Sequence, residues 1–393
     1  MTLIRHLTII FFLSFPLFGD SQTTDWEWKS LVNYPDLGRD DAIAFSIADT
    51  IYFGSGNHGG FSQSNIFYKY STSTNTWALI APFPGVARQY SVAATIGNKG
   101  YLCGGIDLFN NPLNDLWEYD PTTNTWAQLA KLPAAPRWQA ASFVLNNELY
   151  VGSGRSWEEI YKDFWCYNPK QDEWRQVSDL PKLPCYETVS FELFDFGYLG
   201  LGRDCTGVYL NDFWKYNPLE DDWNQEIDFP ADARYYAKAE AYNGVGIVGS
   251  GQNEAGLMLN DFWAFDPIQK AWTEIPVPPM SKRKGLASAT IPFHGVFFIA
   301  GIDESFNRRN EMYRLNIIST APVSFRMIYS QPSAIIYLTE IGMPANVQVF
   351  DVNGRIIYES TAIDSYIYMD VAGWTKGLYL VRVNNEVKKI ILY

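Results

Sequence analysis

Histidine is scarce in this chain, since only three of its 393 residues are histidines. His6 lies in an apolar N-terminal segment, which leaves His58 and His294 in the remainder, predicted to lie on opposite faces of the fold. Paired imidazoles for a copper-type site are therefore excluded. A Ser-His-Asp triad would have to use His58, and no Gly-x-Ser-x-Gly turn precedes a helix. We expect no metal, because Asp303 and Glu304 lack enough nearby oxygen ligands for calcium, and no cofactor.

Positive charge is also in short supply. The 30 Lys and Arg residues face 43 Asp and Glu residues, which gives a formal net charge of −13 and a pI of about 4.8. Nucleic acids and anionic membranes attract proteins mainly through basic residues. The composition therefore excludes both as electrostatic partners.

Long apolar runs are limited to one segment, Leu7 to Phe18, which follows Arg5 and precedes small residues. Such a segment is typical of a secretory signal peptide, predicted here as residues 1–21 with cleavage after Ser21. The run is too short for a membrane-spanning helix, and we expect no membrane span in the mature protein.

Tryptophan, by contrast, is abundant and regularly spaced. Six of the fourteen recur every 48 or 49 residues: Trp28, Trp77, Trp126, Trp174, Trp223 and Trp272. Each period contains a small-residue strand, a Gly/Asn turn, a Gly-rich strand, an aromatic strand and a strand that opens at the tryptophan. Four antiparallel strands per repeat are typical of a β-propeller blade.

The Gly pair, the Tyr-Asp-Pro stretch and the following Trp resemble the kelch motif, from Trp28 to about Ile318. The resemblance implies an all-β fold with a six-bladed propeller over residues 22–319, similar to the central domain of galactose oxidase. The sixth repeat lacks its own terminal Trp, and the isolated strand at Trp28 to Leu31 is expected to complete it and close the ring.

The last segment, residues 320–393, is expected to form a second domain. Its Asn353-Gly354 turn, its strand Gly377 to Val383 and its Lys-Lys-Ile-Ile end resemble the C-terminal sorting domain of type IX secretion substrates (the Por secretion tail). The resemblance implies a small immunoglobulin-like β-sandwich, export through the type IX machinery, and a secreted or cell-surface location.

The four cysteines belong to a chain expected to pass through an oxidising compartment. Cys185 and Cys205 flank a predicted hairpin, and we predict a disulfide between them. Cys103 and Cys166 lie in strands of different blades and are predicted to be buried free thiols.

The candidate binding residues are arginines that share one position at the start of each repeat: Arg39, Arg88, Arg137, Arg234 and Arg283, with Cys185 in blade four. The loops at the same end add Arg155, Arg203, Asn57 and His58. Such a mouth could hold a carboxylate through paired hydrogen bonds. The alternative is that these arginines pair with Asp side chains of the scaffold. The acidic or amide position on the third strands is interpreted as architecture: Asn65, Asp115, Asp163, Asp212, Asp261 and Glu311.

Three functions remain open from the sequence. The first is a ligand-binding module for an acidic glycan or an extracellular protein. The second is a metal-independent sugar mutarotase or epimerase, because six-bladed kelch propellers include a sialic acid mutarotase; Asp107, Asp204 or Glu254 would then move the proton. The third is an adhesion or assembly scaffold.

Overall fold

The computed structural model describes residues 25–59, 62–267, 269–292, 294–318, 326–330, 335–339, 345–351, 355–362, 367–383 and 386–392. These residues form strands and turns, and within them no helix has the length and apolarity to cross a membrane. The predicted signal peptide lies outside the described residues and stays a prediction. The predicted domain boundary after residue 319 also falls outside them.

Six four-stranded antiparallel sheets follow one another along the first part of the chain. Blade 1 comprises Ile43–Ile47, Thr50–Gly54, Phe67–Ser71 and Thr76–Leu79; blade 2 comprises Val92–Ile96, Lys99–Asp107, Pro112–Asp120 and Thr125–Leu129; blade 3 comprises Ala141–Leu145, Glu148–Gly152, Phe164–Asn168 and Glu173–Val177. Blade 4 comprises Val189–Leu193, Phe196–Gly200, Phe213–Asn217 and Asp222–Glu226; blade 5 comprises Lys238–Tyr242, Val245–Gly249, Phe262–Asp266 and Ala271–Ile275; blade 6 comprises Ala287–Ile291, Gly295–Ile299, Met312–Ile318 and Asp25–Ser30.

The inner strand of each blade contacts the inner strand of the next blade, and blade 6 contacts blade 1. The ring is therefore closed. The predicted closing strand is confirmed: Asp25–Ser30 pairs antiparallel with Met312–Ile318, with Trp28 opposite Leu315. This pairing joins the two ends of the propeller in one sheet and leaves no open edge there.

The regularly spaced tryptophans join neighbouring blades. Each indole N–H donates to a backbone carbonyl of the preceding blade or its connection; Trp126 reaches Ala81 O at 3.2 Å and Trp28 reaches Pro276 O at 2.6 Å. Their rings pack against aromatic side chains, as Trp126 does against Phe67 and Phe83. The tryptophans thus fill the wedges between neighbouring sheets.

Short strands of two residues lie at one end of the ring. Each consists of the repeat arginine, or Cys185 in blade 4, and the residue that follows it, and each pairs with the loop after the second strand of its blade. They are Arg39–Asp40 with Asn57–His58 and Ser62–Gln63, Arg88–Gln89 with the end of Lys99–Asp107, Cys185–Tyr186 with Arg203–Asp204, Arg234–Tyr235 with Gln252–Asn253, and Arg283–Lys284 with Ile302–Asp303; in blade 3 a single bridge joins Trp138 and Arg155. We call this the loop end of the channel and the opposite end the turn end.

The C-terminal part contains a three-stranded and a four-stranded antiparallel sheet. Their strands are Arg326–Ser330, Ile335–Thr339 and Ile367–Asp370 in the first, and Ala345–Phe350, Ile356–Ala362, Gly377–Val383 and Glu386–Leu392 in the second. Leu338 and Met369 of the first sheet share one buried core with Val347 and Val381 of the second. The predicted sandwich arrangement is confirmed, while its designation as immunoglobulin-like stays a prediction.

Candidate ligand site at the channel

The five repeat arginines (Arg39, Arg88, Arg137, Arg234 and Arg283) are all at least 98% buried. Arg88 donates to both carboxylate oxygens of Asp115 at 2.5 and 2.8 Å and to the Gly104 carbonyl at 3.1 Å. Arg137 with Asp163 and Arg234 with Asp261 repeat this geometry. Burial alone would raise the pKa of Asp115, but the Arg88 hydrogen bonds and charge hold that pKa below its ordinary value.

Blades 1 and 4 keep the same interaction with different residues. Blade 1 has Asn65 in place of the third-strand acid, and Asp36 accepts from Arg39 at 2.8 Å instead. Blade 4 has Cys185 in place of the arginine, and Lys182 donates to Asp212 at 2.8 and 3.1 Å. The architectural interpretation of the third-strand acids is confirmed for Asp115, Asp163, Asp212, Asp261 and Glu311, each of which bonds a basic side chain.

The repeat arginines do not line an open mouth. Their guanidinium groups donate hydrogen bonds to carboxylates and carbonyls within the blades, so the expectation that they would bind a ligand is not met. Of the two roles left open by the sequence, the geometry favours the scaffold role.

The channel axis at the loop end is instead surrounded by the residues two positions beyond the repeat arginines. This channel ring consists of Asp41, Tyr90, Gln139, Glu187, Tyr236 and Gly285, all with φ between 53° and 64°. The left-handed backbone lets the amides of Asp41, Tyr90, Gln139 and Glu187 each donate to the ring residue of the preceding blade; Tyr90 N reaches Asp41 O at 3.2 Å. The Gln139 amide donates to Glu187, and the Tyr90 and Tyr236 hydroxyls lie 3.2 Å apart. A cavity of only about 70 Å³ remains between them.

Two carboxyl groups of the channel ring hold protons unusually well. Burial raises the pKa of Asp41 to about 8, and the neighbouring Asp40 carboxylate contributes to this increase. Burial raises the pKa of Glu187 well above its ordinary value, and the negative charge of Asp41 contributes to this increase. Protein surrounds Asp41, and its side chain is half-buried because it faces the narrow channel. Burial in the channel ring therefore favours the protonated form of both carboxyl groups.

We predict that the Asp41→Asn variant flattens the pH dependence of stability. The pKa of Asp41 is higher in the folded chain than in the unfolded chain, so the folded state holds the extra proton between about pH 4 and pH 8, and stability falls as the pH rises through that window. Chemical unfolding of both proteins at pH 4.5, 6 and 8 measures the difference. Equal decreases for both proteins would contradict the assignment.

Three cations at the loop end stay accessible: Arg155, Arg203 and Lys284. Arg155 lies over the Trp138 ring (5.3 Å to the centroid) and the Tyr186 ring (4.7 Å). Arg203 lies over Tyr209 and Tyr235, and Lys284 over Tyr235 and Tyr236. We call this set the cation–aromatic arc; it spans blades 3 to 6.

The arc differs from the repeat arginines in its pairing. Among the described residues, none of its three cations makes a salt bridge; their polar contacts are the carbonyls of Ser156 and Gly207 and the Gln252 amide oxygen. Trp157, 58% exposed, packs against Trp138 with the ring centroids 4.8 Å apart and the ring planes tilted by 51°. The arc offers charge and flat apolar surface together, a combination that suits a sugar ring bearing a carboxylate.

The other predicted site residues are held in the scaffold or lie apart. Asp107 accepts from the Phe109 and Asn111 amides, and Asp204 accepts from the Thr206 and Val208 amides, so both fold their own loops. Glu254 is exposed in a loop, while Asn57 and His58 pair with Asp40 and Arg39 in a short strand. Burial, and next the Arg39 charge, lower the pKa of His58. The structure brings none of these into the channel.

The predicted Cys185–Cys205 disulfide is wrong: both cysteines are free thiols. Cys185 pairs in register with Asp204, one residue before Cys205. Successive residues of a strand point to opposite faces, so Cys185 is buried while Cys205 is exposed. The prediction of buried free thiols at Cys103 and Cys166 is confirmed.

Below the channel ring, the channel widens toward the turn end. A cavity of about 150 Å³ is followed by one of about 430 Å³, which share Ser142, Ser190, Glu240 and Ser288 as lining residues. A further cavity of about 390 Å³ reaches the turns at Asn146, Asp195 and Asn243. The wide opening therefore lies at the end opposite to the one predicted from the arginines.

Two signals in the sequence could have located these residues. The position two after each repeat arginine varies in chemistry between blades, whereas scaffold positions repeat. In the inner strand of blade 5, Lys238 and Glu240 stand where the other blades have apolar residues. Divergence within a constant repeat is a better guide to a site than the repeat itself.

The fold and its repeats define a kelch-type propeller. Residues 17–193 match the family model of the KLHDC2/KLHL20/DRC7 Kelch-repeats domain, and residues 328–392 match that of the secretion system C-terminal sorting domain. The chain is a kelch-repeat propeller followed by a Por secretion tail. The sorting domain marks it for export through the type IX secretion system to the cell surface or the extracellular space, and implies contact with that machinery.

A solved structure supports the fold. The structure titled "Structure of YjhT" superimposes with a TM-score of 0.62 at 18% sequence identity, over 73% of this chain and 99% of that one. At this identity the likeness concerns the fold alone. No curated protein matches the sequence.

Proposed function

We propose that the propeller is an exported ligand-binding module that takes an acidic glycan at the cation–aromatic arc. The observation that carries the proposal is the pairing of Arg155 and Arg203 with aromatic rings and not with carboxylates. In a chain of net charge −13, cations without salt bridges at one end of the axis form a local site for an anion. Stacked guanidinium groups keep their outer N–H donors free for a carboxylate.

Aromatic side chains add the surface for the sugar ring. Trp157 is 58% exposed and is fixed by a hydrogen bond from its indole N–H to the Asn110 carbonyl at 2.7 Å. A fixed exposed ring binds at a small entropic cost. The neighbouring Phe109 is 81% exposed and extends the apolar surface toward blade 2.

We predict that the double variant Arg155→Ala/Arg203→Ala weakens binding of sialic or glucuronic acid at least about tenfold, since each charge-assisted hydrogen bond contributes about 1.5–3 kcal/mol. Ligand-observed NMR line broadening on the full chain measures the affinity. The matched control is Lys69→Ala, which removes an exposed cation on the third strand of blade 1, outside blades 3 to 6 that the arc spans. Equal broadening in the double variant and the control would contradict the proposal.

The mutarotase alternative has one specific observation in its favour. The pKa of Asp41 is raised to about 8 and that of Glu187 is raised well above its ordinary value, so both favour the protonated form that an acid for sugar ring opening needs, beside the tyrosines of the channel ring. They would replace Asp107, Asp204 and Glu254 in that role. Anomeric exchange in the same NMR spectra, accelerated by the native protein and not by Asp41→Asn, would favour an enzyme over a binder.

A further inference from the structure

Blade 5 departs from the repeat at two alternate positions of its inner strand. Lys238 occupies the position of Ile43, Val92, Ala141, Val189 and Ala287, and Glu240 that of Phe45, Ala94, Phe143, Phe191 and Ala289. Alternate residues of a strand share a face. One blade therefore places an amine and a carboxyl side by side where five blades place hydrocarbon.

The Lys238 amine has no ionic partner. Among the described residues no carboxylate oxygen lies within 4.0 Å of its nitrogen and the amine donates no hydrogen bond, although Asp41, Glu187 and Glu240 are close enough to act on its charge. Lys238 lines both the 70 Å³ and the 150 Å³ cavities. The amine thus faces open channel space.

The surroundings favour the uncharged amine. Burial lowers the pKa of Lys238 more than the nearby carboxylates raise it. Burial also raises the pKa of Glu240, which accepts a hydrogen bond from the Thr290 hydroxyl at 2.9 Å. A lysine that has lost its proton is a nucleophile, and a carboxyl group that has kept its proton is an acid.

Small molecules reach this pair from the turn end. The 430 Å³ cavity is lined by Ser142, Ser190 and Ser288 and narrows into the 150 Å³ cavity around Lys238. Glu192 lines the wider part of the channel, where its side chain is exposed. The surrounding protein raises the pKa of Glu192 to about 7, and the Glu240 carboxylate contributes to this increase. Carboxyl groups along the path make neutral molecules better ligands than anions.

We propose that Lys238 is a reactive lysine that condenses with short, uncharged aldehydes entering from the turn end. The nitrogen lone pair attacks the carbonyl carbon and forms a C–N bond, while Glu240 protonates the carbonyl oxygen. One nitrogen proton then passes to the hydroxyl oxygen, the C–O bond breaks to release water as the C=N bond forms, and the other nitrogen proton returns to Glu240. The sum is amine plus aldehyde giving imine plus water, without an oxidant or reductant. The proposal is independent of the glycan site at the loop end.

Reductive trapping tests it on the full chain. The protein is incubated with acetaldehyde and cyanoborohydride at pH 7, and ethylation of each lysine is followed by peptide mass spectrometry. We expect Lys238 to react at least tenfold faster than the exposed Lys131, with a rate that falls less between pH 9 and pH 7 than that of Lys131. Equal rates, or parallel pH profiles, would overturn the proposal.

One variant and one alternative aldehyde test the two parts of the proposal separately. Glu240→Gln should slow trapping at Lys238 about tenfold or more and leave Lys131 unchanged, because a carboxyl acid contributes at least that much. Glyoxylate, an anionic aldehyde, should label Lys238 more slowly than acetaldehyde does. An unchanged rate in Glu240→Gln would refute the proton-transfer role, and preferential labelling by glyoxylate would refute the assigned ligand class.

Discussion

Replacing Arg88 with methionine lowers the free energy of unfolding by about 3 kcal/mol, and Arg234→Met does the same. Each change removes the charged donors of a carboxylate, Asp115 or Asp261, and of a backbone carbonyl, and leaves the indole N–H of Trp117 or Trp263 as the remaining side-chain donor to the carboxylate. Urea unfolding of the full chain, followed by tryptophan fluorescence, measures the loss. The signal reports the propeller because every tryptophan except Trp374 lies before residue 320.

The control for this prediction is Arg155→Met. Arg155 makes no salt bridge among the described residues, so its replacement should cost less than about 1 kcal/mol. The double variant Arg88→Met/Asp115→Leu should recover part of the loss, because an apolar pair replaces a broken ion pair. If Arg88→Met and Arg155→Met destabilised the protein equally, the division between scaffold and site would be wrong.

A chain that begins at Val32 and so lacks the closing strand should fail to form a stable monomer. Its removal exposes the edge of Met312–Ile318 and deletes the contacts of Trp28 with Phe262 and Phe298. Trp26 and Trp28 are partly buried against the core between blades 5 and 6, so losing them costs a share of the about 3–5 kcal/mol of a fully buried aromatic residue, and an open apolar edge invites association between chains. Size-exclusion chromatography and thermal unfolding report both effects.

The matched control begins at residue 22, which keeps the closing strand Asp25–Ser30. A peptide of residues 22–31 added to the shorter chain should restore part of its stability, because the peptide can occupy the vacant edge. A monomeric Val32 chain with an unchanged unfolding midpoint would show that closure at Trp28 is dispensable.

The architecture was predictable because a repeat displays the same packing solution six times. Trp77, Trp126 and their counterparts fill equivalent wedges, so their spacing reports the blade directly. The orphan strand at Trp28 could be assigned for the same reason, since its residues match the fourth strand of a complete blade. Closure then follows from one unmatched repeat.

The site was harder to predict because the most regular charges belong to the scaffold. Arg88 and Asp115 lie 27 residues apart, and only the folded blade shows that the third strand passes beside the arginine. The predicted disulfide was wrong because Cys185 pairs with Asp204 and not with Cys205. A register difference of one residue places the two side chains on opposite faces. Arg155 and Arg203 belonged to the predicted set, yet their aromatic partners come from neighbouring strands and loops.

Binding at the cation–aromatic arc is best tested on a glycan array probed with the labelled exported protein and with its Arg155→Ala/Arg203→Ala variant. We expect signal on glycans that end in sialic or uronic acids, loss of signal when the carboxylate is reduced to an alcohol, and loss of signal in the variant. Signal confined to neutral glycans, or identical signals from both proteins, would contradict binding at the cation–aromatic arc.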